Sequence, residues 1–143
     1  DTEFERSGRR RGAAGSIIVV VATDIPLISS QLGLLAKRAA LGLGRTGSYA
    51  ASSSGEIIIA FSTGNRTARP TRDSDHFINL KCISEYHINA VYEAVVEATE
   101  EAVINAMFCS NGMDGRLQRW SPPLPHERVI ELLREGRTLH DRH

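Results

Sequence analysis

The sequence predicts an α+β layered fold. Two short runs of almost unbroken β-branched and apolar residues, 17–23 and 56–63, read as strands. Longer stretches between and after them carry apolar residues at three- and four-residue spacing, the period of a helix packed by one face. The order that results is strand, helix, strand, strand, long helix, short helix. With 143 residues, 41% of them hydrophobic, the chain suffices for one modest domain with a core.

Residues 1–15 hold one large apolar side chain, Phe4, and the run Arg9-Arg10-Arg11. Such a stretch buries too little surface to offset its ordering entropy and is expected to be a flexible linker, its arginines solvated. The run 17–23 is continuously apolar rather than alternating, so its strand is expected to be buried on both faces. Asp24 and Pro26 then read as a helix start, with a helix over 26–43. Ile28, Leu32, Leu35 and Ala39 form its inner face, Lys37 and Arg38 face away, and Gly42 and Gly44 end it. Gly42 to Gly47 match G-x-G-x-x-G in letters only. A dinucleotide loop follows a strand and opens a helix, whereas this stretch closes one.

Residues 48–55 form a serine-rich loop before the second strand, and 65–76 a polar surface loop. Residues 77–83 alternate and predict a third strand with one wetter face. Ser84 is expected to cap a long helix over 85–110, with Ile88, Val91, Tyr92, Val95, Ala102, Val103 and Ala106 as its stripe and a solvated glutamate face opposite. A loop over 113–123 precedes a last helix over 125–135, with Val129, Ile130, Leu132 and Leu133 inward and Gly136 as its stop. The tail 137–143 is expected to be mobile, and His140 and His143 lack the neighbours that would make them a metal pair. Three strands make a thin sheet, and two doubly buried strands need more cover than this chain supplies. The missing cover is expected upstream in the same gene product or in another chain.

Lys plus Arg equals Asp plus Glu at 17 each, which argues against nucleic acid or an anionic membrane surface as partner. The longest apolar run is far too short to span a bilayer. Residues 1–15 show no apolar core of a signal peptide, and the chain begins at Asp1, as the carboxyl-terminal part of something longer would. Cys82 and Cys109 are far apart and suit two thiols in a reducing, cytoplasmic setting. No cofactor or metal motif is present.

Three residues could carry chemistry: Ser16, Ser54 and Glu56. A serine hydroxyl needs a base beside it. No G-x-S-x-G elbow and no convincing serine–histidine–aspartate set is present. One route remains for Ser16, its own α-amine, released only if the Gly15–Ser16 bond is cut. An α-amine with a pKa of about 7.7–8.0 can take the hydroxyl proton near neutrality. Ser54 and Glu56, two apart at the mouth of the second strand, point to one face and can reach the Ser16 end if the two strands are neighbours. On spacing alone, the plainer reading of Ser54 as a loop residue and Glu56 as a solvated strand start is favoured.

Five blocks, GSIIVVVATD, LAKRAALGLGRTG, SSSGEIIIAFSTGN, VVEATEEAVINAM and LPHERVIELL, in that order, strongly resemble the carboxyl-terminal half of the L-aminopeptidase/D-esterase/amidase family, which includes the β-aminopeptidases. The resemblance covers residues 15–135. It implies an αββα sandwich of the type shared with ornithine acetyltransferases, and a precursor that cleaves itself between Gly15 and Ser16. Residues 1–15 would then end the α part, and 16–143 would form the β subunit, with Ser16 as its amino-terminal nucleophile and Ser54 and Glu56 supporting it. It further implies that the α subunit supplies an oxyanion-hole asparagine and part of the pocket for the substrate's amine, and that αβ units assemble into tetramers. The implied reaction removes amino-terminal residues from peptides, amides or esters through an acyl-enzyme, with D- or β-amino acid substrates within range. The base for the first cleavage is open, with Glu56 the candidate by elimination. An acetyltransferase-like self-processing transferase and an inactive fragment are the alternative readings. The departures lie in loops: 48–51 is less glycine-rich than expected, Gln118 replaces a glycine, and 67–86 match loosely.

Overall fold

A computed structural model describes residues 15–52, 54–69, 71 and 77–140. The expected linker, apart from Gly15, lies outside the described residues, as does His143. The elements in chain order are β1 (Ile18–Thr23), α1 (Ser29–Arg45), β2 (Ile57–Ser62), α2 (Ile88–Phe108), β3 (Met113–Gly115), a 3-10 turn (Arg116–Gln118), β4 (Arg119–Ser121) and α3 (His126–His140). The α+β expectation holds. The described residues divide into two compact units, 15–103 and 104–140.

In the first unit β1 and β2 are parallel neighbours, with Ile18 opposite Ile57 and Thr23 opposite Ser62. A parallel pair needs a crossover, and α1 supplies it. The helices cover one face of the pair. Val19, Val21, Ile58 and Ala60 pack against a core of Leu27, Leu35, Ala39, Val91 and Val95. Leu35, with no exposed surface, is its centre. The other face carries Ile18, Val20, Ile57, Ile59 and Phe61, all between 45% and 68% exposed. The expectation of strands buried on both faces therefore fails within this chain, because both helices lie on the same side.

Helix α1 starts later than Asp24 and Pro26 suggest. Side chains from the strand ends hold residues 24–28 out of helical geometry: Thr23 Oγ1 accepts the Ile25 N–H at 3.1 Å, and Ser62 Oγ donates to Ile25 O at 2.5 Å. Gly64 closes against the same segment, where a Cβ would lie 2.6 Å from Pro26 N. The helix begins after Ile28, whose N–H is accepted by Gln31 Oε1 at 3.4 Å, while Gln31 Nε2 donates to Ile83 O at 2.8 Å. Gly42 does not end α1. It is the point where α1 and α2 approach, and a Cβ there would lie 2.5 Å from Val96 O and 2.8 Å from Thr99 Cβ. Arg38 does not simply face water either: its guanidinium lies 4.4 Å from the Tyr92 ring centroid.

The third strand expected over 77–83 is absent. Phe77, Ile78 and Leu80 are more than half exposed, so their alternation has no core to face. Asn65 stands in for a neighbouring strand at one position, accepting the Lys81 N–H at 2.9 Å and donating to Lys81 O at 2.8 Å. Helix α2 begins at Ile88 rather than 85, because Ser84 Oγ engages His87 Nδ1 at 2.8 Å instead of a helix N–H. Its stripe is buried at Ile88, Val91, Val95 and Thr99, but Ala102 and Ala106 are exposed.

In the second unit, β3 and β4 pair antiparallel within the stretch expected to be a loop. Leu117 takes the left-handed conformation (φ 62°) in the turn between them. Gly112 (φ 78°) leads in, and a Cβ there would lie 2.7 Å from Trp120. His126 stacks on Phe108 at 5.4 Å between centroids. Helix α3 runs through Gly136 to His140, beyond the stop expected there: a glycine ends a helix only where the chain turns left-handed, and otherwise costs about 1 kcal/mol. Of its expected inner residues only Val129 is half-buried, while Ile130, Leu132 and Leu133 are exposed.

Candidate active site

The parallel register creates this site. Because β1 and β2 start at the same edge, the residues preceding them meet there. The first rung outside the paired strands is the Ile57 N–H to Ile17 O bond at 3.0 Å. One step further out, the Gly55 N–H donates to Ser16 Oγ at 3.0 Å. The returning loop is shaped by Ala50 in a left-handed conformation (φ 50°) and by a turn in which the Ser54 N–H donates to Ala51 O at 2.8 Å. That turn presents the Ser54 side chain to the same edge.

Ser54 Oγ lies 2.6 Å from Gly15 O and 2.5 Å from Glu56 Oε1. The three residues singled out from the sequence therefore lie together around the Gly15–Ser16 peptide bond, with the condition of neighbouring strands met. Gly15, Ser16 and Gly55 are exposed, and Ser54 and Glu56 half-buried. The Glu56 carboxyl meets Ser54 rather than the Ser16 hydroxyl, so any effect of Glu56 on Ser16 passes through another group.

A hydrogen count constrains the arrangement. A serine hydroxyl has one hydrogen to give, and it faces two oxygens. It donates to Gly15 O or to Glu56 Oε1, and the two acceptors compete for that hydrogen. The Gly55 N–H, aimed at Ser16 Oγ, stabilises negative charge that grows on that oxygen as it loses its proton.

Sequence reasoning missed the Gly55 amide. A backbone donor has no letter of its own, and the only signal was a glycine between two chosen residues. His87 engages Ser84 and His126 stacks on Phe108. Among the described residues no group of three His, Cys, Asp or Glu side chains is placed to hold a metal ion, and no helix is long and apolar enough to cross a membrane.

The family model for peptidase family S58 matches residues 2–120. A β-peptidyl aminopeptidase of Sphingosinicella microcystinivorans is 37% identical over 125 residues, 87% of this chain and 31% of that protein. One of Sphingosinicella xenopeptidilytica is 36% identical over 125 residues, 83% of this chain and 29% of the other. The chain thus spans under a third of the length of these relatives. Among solved structures, the L-aminopeptidase D-Ala-esterase/amidase of Ochrobactrum anthropi, described as a variant of the Ntn hydrolase fold, superposes with a TM-score of 0.74 at 41% identity, over 85% of this chain and 34% of that one. A Burkholderia β-aminopeptidase gives 0.74 at 35% identity, over 89% and 37%. These matches favour the hydrolase reading over the acetyltransferase one, and place the α+β architecture within the Ntn hydrolase fold.

Proposed function

The chain belongs to peptidase family S58, and from that premise we propose that it is the catalytic β part of a self-processing serine aminopeptidase/amidase, cut between Gly15 and Ser16. The observation that supports this most directly is that Ser54 and Gly55 engage the two residues of that one peptide bond, with Glu56 held on Ser54.

In the first reaction Ser16 Oγ bonds to the Gly15 carbonyl carbon and loses its proton. Ser54, with Glu56 behind it, donates to the oxygen that becomes negative. The carbon–nitrogen bond then breaks, the nitrogen takes a proton, and Gly15 is left as an ester on Ser16 Oγ. Water hydrolyses the ester, giving a Gly15 carboxylate and a Ser16 with a free hydroxyl and a free amine. In turnover the same oxygen attacks the carbonyl of a substrate's amino-terminal residue. The Ser16 amine accepts the hydroxyl proton and returns it to the leaving group. Water releases the acyl group.

Peptides, amides and esters with a free amino terminus are the substrate class, and the β-peptidyl relatives bring β-amino acid residues within it. The upstream part of the precursor is the partner. It covers the bare face of β1 and β2, completes the pocket, and the resulting αβ units assemble into oligomers. The setting is cytoplasmic.

The test is expression with the complete upstream region, followed by intact mass measurement. A chain starting at Ser16 is expected, together with release of nitroaniline from an alanyl or β-alanyl anilide. Ser16→Ala is expected to leave the precursor whole and inactive. Cleavage in Ser16→Ala, or an uncut and inactive wild type, would overturn the reading.

A further inference from the structure

Gly55 stands between Ser54 and Glu56, and neither usual reason for a glycine applies to it. Its φ lies outside the left-handed region, so any residue could adopt its backbone. It is also not wedged against a neighbour, as Gly42 and Gly64 are. A Cβ built on it meets one atom within 4 Å among the described residues, Ser16 Oγ at 3.8 Å. That is ordinary van der Waals separation, so the folded chain tolerates the added carbon.

We propose that Gly55 determines specificity: by lacking a side chain it keeps open the approach to Ser16 Oγ that the substrate's acyl group must use. The inference rests on Ser16 being the nucleophile. A carbonyl carbon about to be attacked sits about 3–3.5 Å from the attacking oxygen. A methyl group 3.8 Å from that same oxygen competes for the surrounding volume. Gly15 does not meet this obstacle in the same way, because its carbonyl is already tethered to Ser16 and held by Ser54. Side chains at position 55 should therefore discriminate among substrates by the bulk next to the reacting carbonyl, with unbranched acyl groups least affected. Unbranched acyl groups are those of glycine and of β-alanine, whose carbon next to the carbonyl is a CH2 with no side-chain branch.

The test uses the full-length precursor with Gly55 unchanged, Gly55→Ala and Gly55→Val. Each is assayed on glycyl, β-alanyl, alanyl and leucyl anilides after the chain starting at Ser16 has been verified by mass. Where a variant precursor is not cut, the upstream part and a chain beginning at Ser16 are co-expressed, so turnover is read without self-cleavage. For Gly55→Ala, kcat/KM is expected to fall about 10- to 200-fold on the leucyl anilide, the scale of one methylene in a tight pocket, and less on the glycyl one. Gly55→Val should widen that gap. If it does not fold, by its thermal transition, Gly55→Ala alone decides. An equal loss on all four substrates, or none, would overturn the inference while leaving a processed, active wild type intact. An uncut and inactive wild type would instead overturn the underlying reading.

Discussion

At the scale of single residues, the site depends on hydrogen positions more than on residue types. Ser54 is, among the described residues, the side chain that bonds both the Gly15 carbonyl and Glu56. Ser54→Ala should slow self-cleavage by about 10²- to 10³-fold, the usual effect of deleting one oxyanion donor. The measurement is the fraction of uncut precursor by mass over time, and cleavage at the wild-type rate would remove Ser54 from that role. Spacing by two put Ser54 and Glu56 on one face, but what drew Ser16 out was the terminal-amine route and the resemblance to the family, not spacing. The Gly55 N–H was not legible, since residue letters do not report backbone donors. Ala50 and Leu117, the two non-glycine residues with positive φ among the described residues, fall in or beside the stretches 48–51 and 118, where the resemblance led to an expectation of glycine.

At the scale of elements, the helices were legible in kind and blurred at their ends. Leu35 and Ala39, or Val91 and Val95, mark inner faces by period alone. Where α1 starts is decided by Thr23, Ser62 and Gly64, two of them distant in sequence, and local capping rules cannot see them. The alternation over 77–83 promised a strand, but a strand is a pairing, and here Asn65 takes one rung while Phe77, Ile78 and Leu80 are exposed and Ile83 packs on the core. Gly42 changes meaning once the structure is known. From the sequence it is a helix stop; in the fold it is the contact that lets α1 lie on α2. Gly42→Ala should cost about 1–3 kcal/mol, the range for overpacking, because the obstructing atoms include the Val96 carbonyl, which cannot rotate away. The denaturation midpoint of the complete precursor reads this directly, and an unchanged midpoint would mean that the two helices can part at no cost.

At the scale of the whole molecule, the apolar runs of β1 and β2 encode more burial than this chain provides. Continuous Ile and Val predict two covered faces; among the described residues only one is covered, and the other is the face assigned to the proposed upstream part. A single Lys or Glu on that face should therefore harm assembly more than the fold of the unit. Val20→Glu combined with Ile59→Lys is expected to abolish co-purification with the upstream part, while Val19→Glu, on the helix-covered face, should unfold the unit itself. Retained association of the double variant in a pull-down would show that the partner docks elsewhere.

The shared starting edge of β1 and β2 has one more consequence. The bond proposed to be cut precedes the first cross-strand rung, Ile57 N–H to Ile17 O. Severing it there would convert an internal position into a chain end without unzipping the paired strands: the new terminus would be moored from its second residue onward. On that reading the connection between the two parts is a fuse rather than a hinge: it would hold them in equal number through synthesis and then be lost while the scaffold keeps its shape.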